Sequence, residues 1–292
     1  MKTTTVLPTI RHDLSGFEAL VSMHKQTQDY FLDNVRINMQ ATQWFDADMC
    51  AAFGAILYRL GENLNTINLS DIPDGVEQVL SRNGFLSHYG REKLPDQWGT
   101  TIPYRRFDVK DDRYFADYIE KELVNRSEIP TMSQELMKKF RESIFEIFSN
   151  AVLHSRTDLG IFSCGQFFPK RNRIDFSVAD LGVGMRKNIQ EKRGVVLSAE
   201  KAINWATQEN NTTKDGMIPG GLGLKLLCEF IDFNGGCIQI VSDAGHWQRK
   251  GRNTTITPLK HPFPGTIVTL EINTADQHSY QLTSKTDTTD IF

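Results

Sequence analysis

Three short groups of residues in this sequence have the types and spacing to act together on one ligand. Glu146 and Asn150 stand four apart in a segment, SQELMKKFRESIFEIFSNAVLHS (133–155), that reads as a helix. Asp180 is followed by Gly182, Gly184 and Met185 at the end of an apolar strand. Gly220, Gly221, Leu222, Gly223 and Leu224 open a second helix. An Asp just past a buried strand can reach into a pocket and accept a hydrogen bond from an amino group. Glycines beside it let backbone approach a flat ring. A Gly-rich turn at a helix N-terminus presents unpaired N–H groups and the positive end of the dipole, which suits phosphates. An Asn carbonyl on a facing helix can ligate Mg²⁺, which bridges phosphate oxygens. A nearby carboxylate can orient or deprotonate an attacking water or hydroxyl. Each group alone is a weak sign, because Gly pairs mostly mark turns. Joined, they describe an adenine–phosphate–metal site.

The elements that must position these residues follow from periodicity. In 133–155, Leu136, Phe140, Ile144, Ile147 and Ala151 recur at spacings of three and four, one apolar stripe. Thr131 with Gln134 fits a capping box at its start. Phe145, Ile147 and Phe148 crowd around Glu146, and a buried carboxylate is costly unless paired or used. Ser143, Glu146, Asn150 and His154 fall on one line along the helix, a polar seam that is either a site or a charged turn followed by a satisfied core Asn. Strands are expected at 159–168 and 173–182, joined by the turn PKRN (169–172). Further strands are expected at 237–243 and 265–272, with a polar excursion, HWQRKGRN (246–253), between them. Residues 185–219 are polar, with one short helix at 198–206 and the composition of a mobile loop from 207 to 220.

Ahead of this region, short strands at 6–10, 35–39, 66–72 and 101–109 alternate with helices beginning near Asp13, Asp46 and Asp74. That alternation predicts βαβ units and a partly parallel sheet. The sequence therefore divides into a small α/β domain (1–110), a second domain (111–275) and a polar tail expected to be disordered (276–292). Apolar content of 39 % and charged content of 24 % fit an ordinary soluble globular protein. A net charge of −3 gives no electrostatic case for nucleic acid or an anionic membrane surface. No apolar run approaches the roughly 20 residues a membrane helix needs, and MKTTTVLPTIRHDLS lacks a signal-peptide core. Cys50, Cys164, Cys228 and Cys237 have neither metal-ligand nor disulfide-framework spacing, so a reduced cytoplasm is the simplest setting.

The phosphate-binding signature is neither a Walker A loop nor a Rossmann fingerprint: no GxxxxGK[ST] occurs, and no GxGxxG has an acidic residue about twenty positions on. In order and spacing, EIFSNAVLHS, DLGVGM, GGLGLKLL and GTIVTLEI resemble the four motifs of the GHKL ATPase superfamily, which includes gyrase B, large heat-shock chaperones, mismatch-repair ATPases, sensor histidine kinases and anti-sigma-factor serine kinases. The resemblance covers about residues 130–273. It implies a Bergerat-type α/β sandwich, a mixed sheet with helices on one face, with ATP and Mg²⁺ as ligands. It implies Glu146 as general base, Asn150 as Mg²⁺ ligand, and Asp180 on the adenine amino group with Gly182, Gly184 and Met185 beside the ring. Gly221, Leu222, Gly223 and Leu224 would cradle phosphates, Thr266 would help hold the adenine end, and residues 186–219 would form a lid in which Lys214 is a phosphate contact or a solvated Lys. The first domain resembles a STAS-type module, a partner of anti-sigma kinases. At its second helix it reads Asp46-Ala47-Asp48, with no hydroxyl for a phospho-switch.

The expected function is a cytoplasmic ATP-binding switch that hydrolyses Mg-ATP and regulates a protein partner or its own dimerisation. The alternative is a serine kinase of the anti-sigma type acting on a separate protein. A sensor histidine kinase is disfavoured, since no dimerising two-helix element with an acceptor His precedes the ATPase region. A module that binds ATP without turning it over is the remaining reading.

Overall fold

The computed structural model describes residues 2–208, 211 and 222–280. The first unit runs β1 (Lys2–Val6), α1 (Leu14–Thr27), β2 (Asn34–Asn38), α2 (Cys50–Glu62), β3 (Thr66–Ser70) and α3 (Asp74–Arg82). Its three strands form a parallel sheet in the order β1-β2-β3. Asp13 caps α1 by accepting the Gly16 N–H, 3.1 Å, and the helix buries Phe17, Leu20 and Val21. The small-residue run of α2, CAAFGAIL, is buried on every side from Cys50 to Leu57. A Cβ at Gly54 would come within 2.2 Å of the Tyr104 hydroxyl, so only a bare backbone fits there.

The second unit contributes β4 (Thr101–Phe107), α4 (Asp112–Ile119), α5 (Gln134–Ser155), β5 (Ile161–Phe168), β6 (Arg173–Asp180), α6 (Gly184–Arg193), α7 (Ala199–Ala206), α8 (Leu222–Asn234), β7 (Cys237–Lys250) and β8 (Asn253–Asn273). Its sheet has five strands in the order β4-β5-β6-β8-β7. Every neighbour is antiparallel, so the sheet is not mixed as expected. Two of the four pairs, β5–β6 and β7–β8, are hairpins. One turns through Asn172 in the left-handed conformation, and the other through Gly251 and Arg252. The second hairpin absorbs residues 246–253, the expected polar excursion, into the ends of β7 and β8.

The second unit's own helices lie on one face of this sheet, and helices of the first unit cover the other. On one face α4, α5, α7 and α8 enclose Ile174, Phe176, Val178, Ile240 and Leu270. On the other, Phe162, Ala179, Val241 and Ile267 share a core with α1 and α2 of the first unit. The molecule is thus layered as parallel sheet, helices, antiparallel sheet, helices. β4, which the sequence places in the first domain, is an edge strand of the larger sheet, so the division near residue 110 does not separate two cores. Residues 276–280 depart from the expected tail. Tyr280 bridges to Met132 and its ring meets Phe230 at 5.4 Å. No helix among the described residues is long and apolar enough to cross a membrane, and all four cysteines are buried and free.

Candidate functional site

The site forms where α5 crosses the ends of β6 and β8. The N-cap of α5 is Ser133, whose Oγ accepts the Leu136 N–H at 3.2 Å; the expected Thr131 box is not used. Leu136, Phe140, Ile144 and Phe148 are buried, and Phe140 meets the Phe230 ring of α8 at 5.1 Å. Burying that stripe turns the polar seam inward, so that Ser143, Glu146 and Asn150 line a cavity of about 130 Å³. Asp180 and Thr266, paired across β6 and β8, line the same cavity. Gly184, Met185 and Leu224 complete the predicted set on its wall. Gly220, Gly221 and Lys214 lie outside the described residues, as do the side chains of His154 and Leu222.

Asp180 is the carboxylate at the bottom. It is 6 % exposed and its Oδ1 accepts the Gly182 N–H at 2.8 Å. Burial pushes its carboxyl up to about 7, against the opposing pull of the Gly182 and Thr266 N–H groups. The surrounding walls are apolar: Ile147 from α5, Val178 and Val268 from the sheet, Met185 and Ile189 from α6. The cavity thus sets the buried Asp180 carboxylate beside apolar walls, with Ser143, Glu146, Asn150 and Thr266 as further polar lining, an arrangement that suits a ligand with an apolar body and polar groups.

Two glycines stand behind the wall and set its shape. A Cβ at Gly182 would lie 2.2 Å from Ser155 Cβ, so the turn after β6 packs directly on the C-terminus of α5. There the Val183 N–H donates to Ser155 O at 2.9 Å. Gly223 lets α8 approach α5 closely enough for its N–H to donate to Glu146 Oε2 at 2.8 Å. A Cβ on it would lie 2.3 Å from that oxygen and 3.1 Å from Ser143 Cα. Gly223→Ala is therefore expected to break the Glu146 contact and cost about 1–3 kcal/mol, read as a lower thermal midpoint. An unchanged midpoint would mean that α8 does not need this close approach.

Ser242 was not indicated by the sequence, because a lone Ser in a strand carries no signal. It is the hub of the wall nonetheless. Its Oγ accepts the Met185 N–H at 2.9 Å and lies 3.0 Å from Thr266 Oγ1, which fixes the turn at Gly184 (φ +76°) against β8. The stretch expected as a lid is partly regular. α6 and α7 are packed helices, and Asn188, Trp205, Ala206 and Asn211 line the cavity from them and from the segment after α7. No protein-family model and no curated protein matches this chain.

Proposed function

We propose that this chain binds Mg-ATP in the cavity between α5, β6, β8 and α8, in the manner of a GHKL ATPase, and hydrolyses it as a switch on protein interaction. The observation that carries the reading is convergence. Glu146, Asn150, Asp180 and Thr266 come from three segments far apart in sequence and line one cavity, with the N-terminus of α8 beside it. In this reading Asp180 accepts the adenine amino group, and Gly182, Gly184 and Met185 border the ring. The N–H groups at the start of α8 take the phosphates, Asn150 ligates Mg²⁺, and Glu146 activates the attacking water. An antiparallel sheet with α5 and α8 laid across it supports a Bergerat-type sandwich. The order β1-α1-β2-α2-β3 supports a STAS-like first unit, but one already docked. Its helices α1 and α2 pack against the larger sheet.

Incubation of the purified chain with Mg²⁺ and γ-labelled ATP tests this. The expected result is label released as free phosphate. Label retained on a protein would instead indicate a kinase, with the acid stability of the bond separating Ser from His. Absence of nucleotide binding would overturn the site altogether.

A further inference from the structure

A second group of chemistry-bearing side chains lies across the sheet from the nucleotide cavity. Among the described residues, His12, Asp48 and Asp175 are the one group of His, Cys, Asp or Glu side chains placed to hold a metal ion, with their ligand atoms all within 4.8 Å of one another. His12 precedes α1, Asp48 lies in the turn that opens α2, and Asp175 is on β6, so the group spans both units. Their side chains are 1 %, 0 % and 0 % exposed. His12 Nδ1 lies 2.6 Å from Asp48 Oδ2 and 4.0 Å from Asp175 Oδ2. Ser177 Oγ donates to Asp48 Oδ2 at 2.7 Å, and His12 Nε2 lies 3.2 Å from Thr269 Oγ1.

Two features of this group are unexplained by packing alone. Among the described residues, Asp48 Oδ1 and Asp175 Oδ1 are buried and accept no hydrogen bond, which is costly for carboxylate oxygens. Positive charge is also short. Arg173 sits 2.8 Å from Asp175, 2.7 Å from Glu271 and 4.0 Å from Asp46, so one guanidinium serves three carboxylates. The half-exposed Arg171 and the exposed Lys250 reach only the rim, each 3.8 Å from its carboxylate, where solvent screens them. Among the described residues, Asp48 has no cation but the imidazole itself within ion-pair distance.

We propose that His12 Nδ1, Asp48 and Asp175 bind a divalent transition metal of the Mn²⁺-to-Zn²⁺ series, which fastens the first unit to the five-stranded sheet. A cation about 2.1 Å from each ligand holds neighbouring ligand atoms roughly 3.0 Å apart in octahedral and about 3.4 Å apart in tetrahedral geometry, between the two distances observed. One imidazole with two carboxylates is a mixed borderline and hard donor set, which suits these metals better than Ca²⁺. Thr269 is placed to accept from the His12 Nε2–H and so orient the ring, as outer-shell partners of metal-bound His do. The site is closed to solvent, so its role is structural, and binding energy becomes folding energy. It is separate from the Mg²⁺ that Asn150 would hold with ATP.

The test uses the full chain, free of nucleotide and purified without an immobilised-metal step. Elemental analysis is expected to find about one Mn, Fe or Zn per chain. Asp175→Asn is expected to lower that content at least tenfold, and Asn150→Ala to leave it unchanged. A second measurement does not depend on a variant folding. Stripping the wild-type chain with a chelator should lower its thermal midpoint by several degrees, and Mn²⁺ or Zn²⁺ alone should restore it. A chain that purifies without metal, and whose midpoint Mn²⁺ and Zn²⁺ do not move, would overturn the proposal and leave a buried ion pair. Metal retained equally by Asp175→Asn would overturn it too.

Discussion

Asp180→Asn is expected to make the protein more stable and to weaken its affinity for ATP. The carboxyl is buried at the bottom of the cavity, and its pKa of about 7 stands roughly 3 units above the ordinary value. At about 1.4 kcal/mol per unit, keeping it ionised in the fold costs on the order of 4 kcal/mol. The sign follows from the raised folded value. Below about pH 4 the carboxyl is protonated in both folded and unfolded chains and the cost is absent. It grows from pH 4 to 7 as the unfolded chain releases a proton that the fold retains, and it is complete above pH 7. Asn carries no such cost. The stability difference between variant and wild type should therefore widen across pH 4–7 and level off above it, other carboxylates cancelling between the two. Binding moves the opposite way. An Asn turns a pure acceptor into a mixed group facing an amino donor, a loss of about 2–3 kcal/mol, or roughly 30- to 150-fold in ATP affinity at pH 8. Chemical denaturation along a pH series and calorimetric titration check the two halves separately. A stability difference that is flat with pH would mean that the carboxyl is not held protonated by burial. Retained affinity would move the adenine site elsewhere.

That the same residue should cost the fold and carry the ligand explains how it was visible in sequence. An Asp at the end of an apolar strand contradicts its surroundings, and Glu146 among aromatic residues does the same. Such contradictions are what one chain displays without relatives to compare. The residues that merely support them do not contradict anything. Ser242 and Ser155 are ordinary at a strand and at a helix end, and only the fold brings them against Met185 and Gly182. α6 was not legible because it buries little more than Asn188 and Ile189, too few positions to show a period. The outer half of the β7–β8 hairpin reads as polar because much of it faces solvent, although His246, Trp247 and Leu259 are buried there. The placement of β4 is a long-range matter. Its residues alternate as any strand's do, and nothing local says that it pairs with β5 some sixty residues on rather than with β3. Asp48 is the clearest instance. In sequence it is only a missing hydroxyl. In the fold its position matters because His12 and Ser177, from distant segments, meet it in the interior.

Glu146→Ala tests the other contradiction, and its two expected effects also run against each other. The Glu146 carboxylate accepts the Gly223 N–H at 2.8 Å, and that N–H belongs to the donor set at the start of α8 that a phosphate would use. Carboxylate and phosphate thus compete for one donor, and two negative charges would face each other across it. In the proposed reading ATP would displace Glu146 from the helix terminus, and that displacement would also bring the carboxylate to a water near the γ-phosphate. Removing it should lower turnover by a factor of about 10²–10⁴, the usual contribution of a general base. It should also tighten ATP binding by up to about tenfold, since a charge-assisted hydrogen bond no longer has to be broken. Glu146→Gln separates the two roles. Its amide oxygen keeps the contact with Gly223 and loses the base, so turnover should fall as in the Ala variant while affinity stays nearer that of the wild type. Weaker binding in Glu146→Ala would mean that the carboxylate props the phosphate site open instead of occupying it. Turnover at the wild-type rate would place the base on another residue of the cavity.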